Sequence, residues 1–236
     1  AVLPFANRSA SAEDEYFSDG LADELISVLV KIRGLRVAAR TSSATFKGKE
    51  VTIAEVGRAL NVKAVLEGSV RKAGNRVRIS VQLVKVEDGY PLWSETYDRT
   101  LEDIFAVQDD IAQSVVKELR TTLMGEAPDS HASDDAQADV AKAAMGRGGN
   151  AEAHRLYLLG MHFGDQFTDD GMRNGIAALE QAVALDPGYA VAWARLAYSY
   201  GLQGAFGWVP VLEGYRKARG AVERALALAP DLPEGH

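Results

Sequence analysis

Two stretches decide how the chain is read: Ala178-Leu-Glu-Gln-Ala-Val-Ala-Leu-Asp-Pro187 and Ala190-Val-Ala-Trp-Ala-Arg-Leu-Ala-Tyr-Ser-Tyr200. One Ala-rich helix ends at Pro187 and another begins just after it, so the proline joins two helical hairpins. A helical hairpin buries its apolar face only by stacking on a neighbour, and small residues are needed where helices touch. Leu156, Leu159, Gly160 and Phe163 open one hairpin, and Gly175, Leu179, Ala182 and Pro187 close it. Trp193, Leu196, Ala197 and Tyr200 open the next, and Ala218, Val222, Ala225 and Pro230 close that. The closing stretches Ala-Leu-Asp-Pro187 and Ala-Leu-Ala-Pro230 echo each other.

These offsets resemble the tetratricopeptide repeat. Its period is about 34 residues, whereas the two prolines, at 187 and 230, are 43 apart. The surplus is expected in an enlarged turn at Gly204 to Pro210. The resemblance implies a binding surface rather than a catalyst, with the first helix of each hairpin lining a concave side. The register of Leu159-Gly160 and Leu196-Ala197 then places His154, Tyr157, Met161, Asp165, Tyr198 and Leu202 at exposed groove positions. Tyr, Met and His there can contact an extended peptide or a partner helix at modest entropy cost. The plainer alternative is that they pack against a linker or a further hairpin.

With 236 residues and 47% hydrophobic content, the chain can hold two modest domains with real cores. There is no cysteine, hence no disulfide and no thiolate metal site. A net charge of -7 argues against general nucleic-acid binding. Residues 1–125 carry 17 basic and 18 acidic side chains, so most of the excess acid lies beyond them. No apolar run approaches the roughly 20 residues that span a bilayer. The chain reads as an excised fragment, with a further repeat expected after Pro230.

The amino-terminal half reads as α/β. Ala1–Phe5 suits a buried strand. Phe17, Leu21, Leu25, Val28, Leu29 and Ile32 recur at helical spacing, predicting a helix over 15–33 that Gly34 ends. Leu35–Arg40 reads as the next strand. Thr52 and Glu55 form a capping box that opens a short helix. Residues 63–72 and 76–87 flank a hairpin turn at Ala73-Gly74-Asn75, and Val77, Ile79, Val81 and Leu83 alternate with polar residues. Pro91–Tyr97 is a further strand at an edge. Thr100 caps a long helix with Ile104, Ile111, Val115, Leu119 and Leu123 as its stripe. The fold class is therefore α+β over 1–125, sandwich-like, a mixed β-sheet with helices on one face. Residues 126–150 read as a linker with a short helix near Asp134–Met145, and 151–236 as two all-α helical hairpins.

Several stretches together resemble a known domain: Val2-Leu-Pro-Phe5, Glu15-Tyr-Phe-Ser-Asp-Gly-Leu21, Leu35-Arg-Val-Ala-Ala-Arg-Thr-Ser-Ser43, Val65-Leu-Glu-Gly-Ser-Val70 and Leu92-Trp-Ser-Glu-Thr-Tyr-Asp-Arg99. They are similar to the TolB amino-terminal-like domain that precedes tetratricopeptide repeats in bacterial class III adenylate or guanylate cyclases and CadC-like membrane regulators. The resemblance implies a sensory or scaffolding region of a signalling protein, on the periplasmic side of an inner-membrane protein. It carries over no catalytic residue and no cofactor. It implies a protein or peptide partner, no nucleic acid, and membrane contact only through a segment outside this chain. An assembly scaffold, with homo-oligomers, is the alternative.

The residues themselves carry little chemistry. Gly146-Arg-Gly-Gly149 is no phosphate loop, because no strand precedes it and no Gly-Lys-Ser/Thr follows. His131, His154, His162 and His236 have no metal-ligand spacing. Asp109 and Asp110 point to different sides of a helix. Arg71, Lys72, Arg76 and Arg78 crowd the hairpin tip. No aromatic residue is interleaved with them, which favours a solubilising end over a phosphate site.

Overall fold

Alternating apolar residues need a covered face, and the sheet supplies it. The computed structural model describes residues 1–11, 14–123 and 132–232, and the chain divides into two compact units, Ala1–Ala144 and Met145–His236. The first contains β1 (Ala6–Asn7), α1 (Glu15–Leu29), α2 (Arg40–Ala44), α3 (Ile53–Leu60), β2 (Ala64–Ala73), β3 (Arg76–Lys85), β4 (Pro91–Thr100), α4 (Ile104–Leu123) and α5 (Ala132–Ala143). The sheet order is β1-β2-β3-β4, with β1 parallel to β2 and the other pairs antiparallel.

The β2–β3 hairpin closes at Ala73↔Arg76 through Gly74 and Asn75, and Gly74 takes φ +60°, as a tight two-residue turn requires. Val77, Ile79, Val81 and Leu83 are all buried, together with Leu66, Val70 and Tyr97 on the same face. That face meets α1 and α4: a cavity of about 320 Å³ is lined by Leu66 and Leu83 on the sheet side and by Leu29, Val115 and Leu119 on the helix side. The stripe of α4 is wider than expected, since Val107, Ala112 and Val116 are also buried. A further helix against the sheet is α3. It packs against β2, and a Cβ on Gly57 would fall 2.2 Å from Val86 Cγ1, just after β3.

Both caps form. Thr52 N donates to Glu55 Oε2 at 2.7 Å while Glu55 N donates to Thr52 Oγ1 at 3.3 Å. Thr100 and Asp103 do the same around a 3-10 turn, Leu101–Asp103, ahead of α4.

Several expectations change. Ala1–Phe5 is not a continuous strand. Val2 bridges Leu66, and regular pairing covers only Ala6 and Asn7, because Pro4 between them has no N–H to give the ladder. Leu35–Arg40 is an extended stretch outside the sheet that runs into α2. Leu35 and Val37 instead line the 320 Å³ cavity. The first helix stops at Leu29, four residues early, and the chain turns through Gly34 at φ +83°. Within the expected linker, α5 packs against α1 and α4 through buried Ala136, Val140 and Ala143, and Arg120 pairs with Asp139. Residues 124–131, with His131, lie outside the described residues, as does His236.

The second unit is helical: α6 (Ala151–Gly164), α7 (Asp169–Leu185), α8 (Ala190–Ala205) and α9 (Val211–Leu228). Helix α6 packs on α7, α7 on α8, and α8 on α9. Asn150 caps α6 by accepting from Glu152 N and Ala153 N, and Thr168 caps α7 by accepting from Gly171 N. Small residues set the approach within each hairpin. A Cβ on Gly175 would lie 2.8 Å from Gly160 O, and one on Gly214 would lie 2.7 Å from Gly204 Cα. The turn between α8 and α9 is not enlarged as expected. Helix α8 runs on to Ala205 and α9 starts at Val211, and these helices have 16 and 18 residues against 14 and 17 in the first hairpin.

Candidate functional site

The six residues expected along the repeat groove divide. His154, Tyr157 and Met161 are buried, not exposed. The cause is Tyr189, in the connection between α7 and α8, whose fully buried ring fills the space in front of α6. Its hydroxyl sits 3.0 Å from His154 Nδ1, and its ring centroid is 5.1 Å from that of Tyr157. These residues are therefore core. Burial, helped by the Arg147 charge, lowers the His154 pKa to about 3, so the ring is neutral and shares one hydrogen bond with the Tyr189 hydroxyl. Asp165 is not a free groove carboxylate, because it accepts from Arg195 across α6 and α8 at 2.5 Å. Only Tyr198 stands well exposed, with the Arg195 guanidinium 5.1 Å from its ring centre, and Leu202 is half-buried one turn on. What remains of the groove is a short patch on α8: Arg195, Tyr198 and Leu202.

Spacing alone did not single out Tyr189 or Arg195. One signal was available for Tyr189: it lies 43 residues before Leu232, the same offset as the two prolines, and both are buried.

The first unit offers a second surface. The sheet face away from α1 and α4 carries the cross-strand rows Glu67, Gln82, Ser94 and Ser69, Ser80, Thr96. These bond to one another, with Ser80 Oγ and Thr96 Oγ1 3.0 Å apart and Gln82 donating to Glu67. They floor an open cleft of about 990 Å³, bordered by Arg8, Phe46, Lys47 and Lys49. Lys47 is engaged with Glu15 at 2.6 Å and Asp19 at 2.5 Å. Burial works against its charge, yet the two carboxylates outweigh that and raise its pKa. Two of the four basic side chains at the hairpin tip are paired: Lys72 with Asp14 at 2.8 Å and Arg78 with Asp98 at 2.6 Å.

Among the described residues no group of three His, Asp or Glu side chains is placed to hold a metal ion, and no helix is long and apolar enough to cross a membrane. Asp109 and Asp110 stay neighbours on α4. Burial is the main cause raising the Asp110 pKa, and Asp109 adds to it.

Residues 1–114 match the model of a family described as HilA/YgeH-like transcriptional regulator, second domain. Over 123 residues the chain is 51% identical to a protein named Putative adenylate cyclase 3 from Rhizobium meliloti (strain 1021), covering 52% of this chain and 21% of that protein. The chain thus spans about a fifth of the length of that curated relative. Among solved structures it is similar to lipoprotein GNA1162 from Neisseria meningitidis, at 20% identity and a TM-score of 0.37 over 52% of this chain and 96% of that one. It is also similar to the LpoB C-terminal domain from Salmonella enterica, at 18% identity and a TM-score of 0.26 over 42% and 82%.

Proposed function

We propose that the chain is the non-catalytic, partner-binding region of a bacterial signalling protein, the accessory part of a class III nucleotide cyclase or of a membrane-bound transcription regulator. On this reading the first unit is a TolB amino-terminal-like domain and the helical unit a pair of tetratricopeptide-type hairpins, acting on the periplasmic side of the inner membrane. The observation that carries it is the pairing of relatives. The chain is similar both to a regulator's second domain and to about a fifth of a cyclase-named protein, as expected of an accessory module attached to different outputs. Four of the groups that sequence alone left open are occupied: Lys72, Arg78 and Asp165 in ion pairs and His154 in the core.

Two measurements test this. Purified chain incubated with ATP or GTP and a divalent metal should give no cyclic nucleotide above a blank, and turnover that follows the chain through purification would overturn the non-catalytic reading. The partner surface is placed on α8. A Tyr198→Ala/Leu202→Ala variant that keeps its circular dichroism should lose the partners that the parent chain captures from a bacterial envelope extract. Equal recovery would move the surface to the open sheet cleft.

A further inference from the structure

The connection between α8 and α9, taken with the helix residues that flank it, reads Ala205-Phe-Gly-Trp-Val-Pro-Val-Leu212, eight residues without a charge. A loop at the end of a hairpin is ordinarily polar, because it faces water. Here Leu212 is 86% exposed, and Phe206, Val211 and Tyr215 are each more than half exposed. A residue lining a groove would not be so bare. The tip is also held in shape. Phe206 stacks on Trp208 with ring centres 4.9 Å apart, Gly207 takes φ +73°, and the amides of Gly207 and Trp208 bond back to the carbonyls of Gly204 and Gln203. Behind it, the close Gly204–Gly214 approach fixes the two helices that carry it.

The charge around this tip is opposite to that of the chain. Residues 205–219 hold three basic side chains (Arg216, Lys217, Arg219) and one acidic one (Glu213), a net +2 within a chain of -7. Residues 151–185 hold two basic and five acidic, a net -3. Arg216, Lys217 and Arg219 are exposed and begin one helical turn behind Leu212, from about 6 to 10 Å along α9 at 1.5 Å per residue. Lys217 pairs with Glu213 at 3.2 Å and Arg219 with Glu223 at 2.8 Å, both i,i+4 surface pairs of the kind that exchange readily for another anion.

We propose that this tip is a docking element for an anionic lipid surface. Phe206, Trp208, Val211 and Leu212 enter the boundary between headgroups and acyl chains, and Arg216, Lys217 and Arg219 meet the lipid phosphates. An apolar end carrying Trp and Phe, with a cationic collar set back by 6 to 10 Å, matches the roughly 5–10 Å depth of interfacial insertion and the attraction of basic residues to anionic leaflets. A second copy of this chain is disfavoured, since two tips would bring +2 against +2.

The test is flotation of the 236-residue chain with vesicles of phosphatidylcholine alone or mixed equally with phosphatidylglycerol. The parent should float with the anionic vesicles and far less with the neutral ones. Phe206→Ser/Leu212→Ser and, separately, Arg216→Glu/Lys217→Glu should each cut partition by at least about tenfold with unchanged circular dichroism. No flotation of the parent, or parental flotation by either variant, overturns the proposal. So does tip-dependent self-association in lipid-free sedimentation, which would assign the tip to a second copy.

Discussion

His154 shows what burial does to a single titratable residue. Its ring is fully enclosed, its Nδ1 is hydrogen-bonded to the Tyr189 hydroxyl, and its pKa falls from the usual 6.5 to about 3. The folded state therefore holds the neutral ring, while the unfolded chain takes up a proton below about pH 6.5. Stability is complete above that value and is lost as pH falls from about 6.5 toward 3. At pH 5 the cost is about 2 kcal/mol. His154→Asn leaves an amide, able to donate or accept, near the Nδ1 position and removes the titration. Thermal melts at pH 7 and pH 5 should show a larger drop in Tm for the parent than for His154→Asn. Equal drops would mean that the unfolded state does not gain this proton. The same residue also shows why sequence placed it wrongly. Helical register gives the direction of its Cβ, but Tyr189, 35 positions away, decides whether that direction is open.

At the scale of elements, the second hairpin rests on a backbone approach that only glycine permits. A Cβ on Gly214 would meet Gly204 Cα at 2.7 Å, Gly204 N at 2.9 Å and Tyr200 O at 2.9 Å, all backbone atoms that cannot rotate away. Gly220, on the same helix, has nothing within 4 Å of its added Cβ. Gly214→Ala should therefore destabilise by about 2–3 kcal/mol, as overpacking does. Gly220→Ala should stabilise by up to about 1 kcal/mol through helix propensity. Urea melts of the two variants decide it, and the idea fails if Gly214→Ala is as stable as Gly220→Ala. Small-residue spacing led to this class of contact, but it named Ala218 where the crossing uses Gly214 one turn earlier. Elements with their own periodicity or caps were legible: the Val77–Leu83 alternation, the Thr52 and Thr100 boxes, the four helices after Ala151. The Leu35–Arg40 stretch was not. Two apolar residues at strand spacing look alike whether they pair in a sheet or line a cavity.

At the scale of the whole molecule, the chain is two units with separate cores. One is built on sheet, α1 and α4, the other on stacked hairpins. Each buries its own apolar set, so damage to one core should stay in its unit. Ile79 tests this because it is fully buried at the centre of β3, paired with Val70 and Tyr97 on its neighbours. Ile79→Asp places a carboxylate among those buried groups, at a cost of about 3–5 kcal/mol. Hydrogen exchange read peptide by peptide should show protection falling across β2, β3, β4 and α4 and holding across α6 to α9. Parental protection in β3 would mean that the register of the sheet is wrong. Loss in α6 to α9 as well would mean that the two units unfold as one cooperative body, and that a signal reaching the sheet is felt directly by the hairpins.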